Sequence, residues 1–155
     1  MKLSTKGRYG VMAMVDLAQF GALGPVALAE VADRQEISLS YLEQLIAKLR
    51  RAGLVTSVRG PGGGYKLAYA AQEIRIADVI AAVDEPIRTT GCKPGAAKGC
   101  IRRSSRCMTH DLWEELGHQI HAYLNSVTLE DVCEGRVHAR PQRSPAATFS
   151  EIAAE

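Results

Sequence analysis

Residues 37–68 read ISLSYLEQLIAKLRRAGLVTSVRGPGGGYKLA and carry the clearest structural signals of the chain. Four apolar side chains recur at the i, i+3, i+4 and i+7 spacing of one buried helix face: Leu42, Leu45, Ile46 and Leu49. We therefore predict a helix over residues 40–51. Ser40 is its expected N-cap, and Glu43, three positions later, is the expected capping-box partner.

A β-hairpin is predicted directly after this helix. Gly53 is expected to end the helix, and residues 54–58 and 65–68 predict two short strands. Five of the six residues between the strands, 59–64, are Gly or Pro, and Arg59 is the exception. Such a loop favours a hairpin tip whose backbone can approach another molecule closely.

Three further helices surround this segment. Apolar periodicity predicts helices over 7–20 and 26–33, with a polar break at 34–36, and another helix over 75–84. A short helix, a turn, an amphipathic helix and a Gly-rich hairpin form the order of a winged helix-turn-helix. The predicted fold is mainly α with a small β-hairpin wing, followed by a long C-terminal dimerisation helix.

The polar face of the 40–51 helix is a candidate DNA-reading surface, because the second helix of such a pair enters the major groove. Glutamine can pair with adenine and glutamate can accept from cytosine. The candidate base-reading residues are Ser40, Glu43 and Gln44. The candidate phosphate and minor-groove contacts are Tyr41, Lys48, Arg51, Arg59 and Gly60. A solvated polar face is the alternative, and the wing favours DNA binding. A nucleotide-binding loop is disfavoured, because strands flank the glycines and no Lys-Ser/Thr follows.

Three cysteines and a histidine follow the spacing C-x7-C-x6-C-x2-H: Cys92, Cys100, Cys107 and His110. Three thiolates and an imidazole form a four-ligand set for zinc or for an iron–sulfur cluster. The wide spacing favours a cofactor with several metal atoms, because zinc sites commonly use closely spaced cysteine pairs. The loop also holds basic side chains that would stabilise thiolates and an anionic cluster: Lys93, Lys98, Arg102, Arg103 and Arg106. Cys133 is predicted to be a buried apolar residue outside the set.

Another amphipathic helix is predicted to begin at Thr109, its expected N-cap, so that His110 lies in the first turn. Five apolar residues along it form what we call the seam: Trp113, Leu116, Ile120, Tyr123 and Val127. Because the seam is too apolar to face water, we expect it to pack against the same helix of a second chain. The predicted domains are a DNA-binding domain over 1–86, a cluster-binding loop over 87–108, a dimerisation helix with a short following segment over 109–134, and a mobile tail over 135–155.

Bulk properties narrow the class of protein. The 155 residues carry a net charge of +2, which suggests one domain with an appended element. Neither a signal peptide nor a bilayer-length apolar stretch is recognisable, so a cytoplasmic protein with no membrane partner is expected. No nucleophile–base pair or carboxylate pair stands in a recognisable setting, so an enzyme is not expected. An electron-transfer protein would explain a cluster but not a reading helix and a wing.

Three segments carry a resemblance to a known family: residues 37–45, 57–65 and 107–113. Together they resemble the iron–sulfur cluster regulator family of IscR and its winged helix-turn-helix relatives. The resemblance implies a homodimeric repressor and activator that binds a double-stranded DNA operator and controls cluster-assembly genes. It implies that the cluster-assembly machinery donates the cluster. It also implies a [2Fe-2S] cluster held by Cys92, Cys100, Cys107 and His110.

Alternatives remain open for the cofactor. Superfamily members that sense nitric oxide or iron also use three cysteines, some with a [4Fe-4S] cluster, and a zinc-stabilised regulator would keep the fold without redox sensing. The Thr109-His110 step with the following Leu112-Trp113 favours the [2Fe-2S] member. The resemblance also implies that Glu43 controls the choice between two operator classes. One class is bound by the protein without its cluster, and the other is bound well only when the cluster is present.

Overall fold

The helices and strands of the computed structural model follow the predicted order. The structure describes residues 4–84, 89 and 107–137. Its elements are α1 (Thr5–Phe20), α2 (Leu28–Gln35), α3 (Leu39–Arg51), β1 (Val55–Val58), β2 (Gly64–Leu67), a 3₁₀ turn (Ala71–Glu73), α4 (Ile76–Ala82), α5 (His110–Ser126) and α6 (Leu129–Cys133). The two strands pair antiparallel, with Val55 opposite Leu67 and Val58 opposite Gly64. The prediction of a mainly α fold with a small hairpin wing is confirmed.

The first two helices begin at residues other than those predicted. α1 starts at Thr5, two residues early, because the Ser4 hydroxyl caps it by accepting from the Lys6 backbone N–H at 3.2 Å. α2 covers Leu28–Gln35 and not 26–33. Val26 is extended there, because its N–H and carbonyl pair with Tyr65 of the wing at 2.9 and 2.8 Å.

The prediction that Ser40 caps α3 is wrong. Ser38 is the N-cap, and its carbonyl accepts from the backbone N–H groups of Tyr41 and Leu42 at 3.1 and 3.0 Å. The preceding Glu36 has a left-handed backbone with φ 53°, which ends α2 and turns the chain so that Ile37 is buried. The helix therefore starts one residue before Ser40, which lies in its first turn, and the proposed capping box with Glu43 does not form.

One apolar core joins the N-terminal helices to the last helix. The predicted face of α3 is buried, with Leu42, Leu45, Ile46 and Leu49 at most 2% exposed. It packs against α1, α2 and α4. Leu129 of α6 is fully buried in the same core, although it lies far along the chain. The winged module is therefore completed by residues that follow α5.

Backbone hydrogen bonds hold the end of α5 on this core. The Ile76 N–H donates to the Val127 carbonyl at 3.0 Å, and the Leu129 N–H donates to the Ile74 carbonyl at 2.8 Å. A capping box then starts α6, since the Asp131 carboxylate and the Thr128 hydroxyl each accept from the other residue's backbone N–H. The hydrogen bonds from Thr128 lower the pKa of Asp131.

The remaining boundaries differ only slightly from expectation. α4 covers Ile76–Ala82 where 75–84 was predicted, and the chain turns at Asp84, which has φ 58°. Among the described helices, none has the length and apolar character to span a membrane. The four domain boundaries stay predictions.

Candidate nucleic-acid interface and cluster ligands

The three candidate base-reading residues share the exposed face of α3. Ser40, Glu43 and Gln44 are all exposed, whereas the opposite face of the helix is buried. Each lies in the first two turns, which is the part of a recognition helix that contacts base edges. The arrangement can place one hydroxyl, one carboxylate and one amide along a groove of DNA.

Two of the candidate phosphate contacts also make contacts within the chain. Tyr41 is half-buried and stacks edge-on against Tyr9 of α1, with ring centroids 6.0 Å apart. The Lys48 ammonium lies 3.0 Å from the Asp84 carboxylate, and its hydrogen bond and charge lower the pKa of Asp84. A phosphate bound by Lys48 would therefore compete with Asp84.

The wing tip is built for a tight turn. The Gly63 N–H donates to the Gly60 carbonyl at 2.9 Å, which closes a four-residue turn with Pro61 and Gly62 at its centre. Gly62 has φ 71°, the left-handed value that the third position of a type II turn requires. Arg59 and Gly60 are exposed beside this turn, as is Arg51 at the end of α3.

A glycine also holds the wing against the start of α2. A Cβ atom on Gly64 would lie 2.3 Å from the Val26 carbonyl oxygen, so no other residue fits without moving that backbone. The close approach permits the paired hydrogen bonds between Val26 and Tyr65. The wing and the helix-turn-helix are therefore positioned together by backbone contacts.

A buried carboxylate that the sequence analysis did not identify links α1 to α2. Asp16 is fully buried and accepts from Arg34 Nε at 3.0 Å, Arg34 Nη2 at 2.7 Å and Gln35 Nε2 at 2.9 Å. The Arg34 guanidinium also stacks 4.1 Å above the Phe20 ring. The hydrogen bond to Asp16 raises the pKa of Arg34. An aspartate among the apolar residues of α1 was the available signal.

Cys107 and His110, two of the four predicted ligands, meet at the start of α5. The His110 N–H donates to the Cys107 carbonyl at 3.0 Å, which closes one turn around Met108 and Thr109. The Cys107 sulfur is half-buried and lies 3.8 Å from the Thr109 hydroxyl. Thr109 is the N-cap residue as predicted, but its side chain makes no capping hydrogen bond. A thiolate and an imidazole in one turn fit a metal or cluster site.

The other candidate ligands lie outside the described residues. Cys92 and Cys100 belong to this group, so no geometry joins them to Cys107. Two carboxylates lie near the His110 imidazole at the start of α5. One ligand atom from each of His110, Asp111 and Glu114 lies within 4.8 Å of the other two. Cys133 is half-buried on α6, and burial raises the pKa of its thiol.

The seam lies along an exposed helix. Trp113, Leu116 and Tyr123 are 44%, 37% and 50% exposed, and α5 has no buried residue. Ile120 is half-buried. Val127 follows the helix and packs against the core of its own chain. Three large apolar side chains in contact with water along one helix are the feature expected of a surface that a partner covers.

Comparisons with known proteins agree with this geometry. The model of the Rrf2 family, described as iron-dependent transcriptional regulator, matches residues 3–135. The HTH-type transcriptional regulator IscR of Vibrio campbellii is 53% identical over 132 residues, which cover 85% of this chain and 77% of that protein.

Two solved structures are similar to the chain over most of their lengths. T. potens IscR has a TM-score of 0.71 and 41% identity, covering 88% of both chains. CymR, the global cysteine regulator of B. subtilis, has a TM-score of 0.73 and 35% identity, covering 87% of this chain and 98% of its own. The resemblance to IscR and its relatives is thus confirmed, and the chain belongs to the Rrf2 family of transcriptional regulators.

Proposed function

We propose that this DNA-binding regulator senses iron–sulfur cluster status through a [2Fe-2S] cluster and controls cluster-assembly genes. Cys92, Cys100, Cys107 and His110 are its proposed ligands. The cluster would supply a redox-sensitive and oxygen-sensitive centre at the start of α5. The cluster-assembly machinery is the proposed donor.

The observation that carries the proposal is the single turn that joins Cys107 to His110. A hydrogen bond of 3.0 Å from the His110 backbone N–H to the Cys107 carbonyl closes this turn, so that the thiol-bearing and imidazole-bearing residues share it at the start of α5. The positive end of a helix macrodipole lies at this position and favours an anionic group. The described residues therefore supply two ligands of suitable chemistry at a helix N-terminus.

The second part of the proposal is a homodimer formed through the seam. Burial of Trp113, Leu116 and Tyr123 against a second copy would remove exposed apolar surface from water. Two reading helices would then contact one pseudo-palindromic operator about one helical turn apart. Dimerisation and operator spacing are thus linked through α5.

Anaerobic purification tests the cofactor directly. We expect a coloured protein that contains iron and sulfide and retards a promoter fragment in a gel. Cys107→Ala should lose iron and sulfide and keep the circular dichroism of the wild type, because the winged core lies elsewhere. Cys133→Ala is the matched control, since this thiol lies outside the proposed set, and it should keep the cluster.

The imidazole ligand has its own test. His110→Cys should retain a cluster with a lower reduction potential, because histidine in place of cysteine raises the potential of such clusters. A colourless wild type with one zinc per chain would contradict the sensing mechanism and leave a zinc-stabilised regulator. A four-iron cluster would leave sensing intact and contradict only the proposed [2Fe-2S] type.

A further inference from the structure

Thr89 contacts α5 at a notch formed by a glycine. Its hydroxyl donates to the Trp113 carbonyl at 2.5 Å. A Cβ atom on Gly117, one turn further along the helix, would lie 2.7 Å from the same hydroxyl oxygen and 3.6 Å from the threonine methyl. Glycine is unfavourable within a helix relative to alanine. At this position of α5 the glycine leaves the room that Thr89 occupies in its contact with the Trp113 carbonyl.

The position of this contact along the chain and along α5 is informative. Thr89 precedes Cys92 by three residues, and three residues of chain span at most about 11 Å. Trp113 follows His110 by three residues, a rise of about 4.5 Å along a helix. The contact thus attaches the chain that leads to the first proposed ligand close to the turn that holds Cys107 and His110.

We infer that Thr89 and Gly117 are positioning residues, which hold the entrance of the ligand loop near the start of α5, where Cys107 and His110 lie. The inference rests on the proposed function. Its physical basis is that a loop fixed near the site at both ends loses less conformational freedom when its ligands bind. Thr89 is not itself a proposed ligand, because its hydroxyl is engaged with a helix carbonyl.

Three variants separate positioning from general stability. Gly117→Ala fills the notch, Thr89→Val keeps the shape and removes the hydroxyl donor, and Thr89→Ser keeps the donor. After anaerobic reconstitution with Fe(II) and sulfide, cluster loss to an iron chelator is followed by absorbance. We expect Gly117→Ala and Thr89→Val to lose the cluster about 10-fold faster than the wild type, the usual effect of removing a group that orients a ligand. Thr89→Ser should behave as the wild type.

Measurements on the metal-free protein complete the test. Trypsin should cleave after Lys98, which is followed by Gly99, several-fold faster in Gly117→Ala and Thr89→Val than in the wild type and Thr89→Ser. The thermal midpoint of Gly117→Ala should be equal to or above that of the wild type, because alanine favours the helix. A merely structural role would lower the thermal midpoint together with cluster retention. Faster cluster loss at an unchanged or higher midpoint therefore indicates positioning.

Two outcomes would overturn the inference. Equal cluster loss and equal trypsin cleavage in all four proteins would show that the notch does not hold the loop. A lower midpoint in Gly117→Ala, parallel to faster cluster loss, would assign the contact to general stability. A wild type that takes up no cluster would instead refute the proposed function, and the trypsin rates would still decide whether Thr89 holds the loop.

Discussion

Replacing Asp16 with asparagine should destabilise the protein while leaving its shape unchanged. The two Asp16 oxygens accept three hydrogen bonds, one from Gln35 and two from Arg34. An asparagine has one acceptor oxygen, and its NH₂ group would face a guanidinium or amide donor. At least one charge-assisted hydrogen bond is lost, and the Arg34 cation loses its buried counter-charge.

The magnitude follows from the burial of this contact. Asp16 is 0% exposed, and loss of one partner from a fully buried ion pair costs about 3–5 kcal/mol. The guanidinium is 29% exposed, so water can replace part of the lost interaction. We therefore expect Asp16→Asn to lower the free energy of unfolding by about 2–3 kcal/mol, a value near that of one hydrogen bond to a charged group.

Urea unfolding monitored by circular dichroism measures this change, at one fixed protein concentration because dimerisation affects apparent stability. Glu30→Gln is the matched control. Its carboxylate also lies near Arg34, at 3.7 Å, but is 63% exposed, so the substitution should leave the midpoint unchanged. If Asp16→Asn unfolds at the same urea concentration as Glu30→Gln, the buried carboxylate does not hold α1 on α2 and our reasoning is refuted.

The remaining predictions concern assembly, DNA binding and acid stability. Leu116→Glu should give a monomer in sedimentation experiments. His118→Glu is the control and should stay dimeric, because His118 lies on α5 outside the seam. A dimeric Leu116→Glu would contradict the proposed interface. If Arg59 contacts a phosphate, Arg59→Ala should reduce the magnitude of the slope of the logarithm of the DNA-binding constant against the logarithm of salt concentration by about 1 per wing. An unchanged slope would place Arg59 away from the DNA backbone. Glu43→Ala should let the metal-free protein bind the cluster-dependent operator class, measured at one salt concentration; equal discrimination by wild type and variant would mean that operator choice is made elsewhere. The lowered pKa of Asp131 means that its capping box stabilises the fold above the ordinary carboxyl value of 3.8 and is lost as the pH falls below it. Asp131→Asn should therefore show a shallower loss of stability below that pH, and an identical acid profile would exclude this contribution.

Local sequence signals predicted α3 and the wing because neighbouring residues encode them. The apolar spacing of α3 and the glycines of the wing loop each specify geometry within a few residues. Helix starts were less predictable, since they depend on distant contacts. Val26 is withdrawn from α2 by pairing with Tyr65, and the start of α3 follows from the left-handed Glu36.

Side-chain contacts between residues far apart in sequence were not predictable at all. The partners of Asp16 lie 18 and 19 positions away, and nothing in the local pattern of α1 selects them. The contact of Thr89 with Trp113 spans 24 positions and needs the fold to bring it together. The place of His110 in the first turn of α5, by contrast, was predictable, because Thr109 directly before it is a common N-cap residue.

The return of the chain onto its own core after α5 limits how such a regulator can exchange modules during evolution or in the laboratory. Leu129 is buried in the common core, α6 packs against α1 and the 3₁₀ turn, and the Leu129 N–H pairs with the Ile74 carbonyl. A gene fusion that joined residues 1–86 to a foreign sensor would leave an apolar hole in the DNA-binding half. A functional chimera must instead insert the new sensor between α4 and Val127, and keep residues 127–133 as a closing segment.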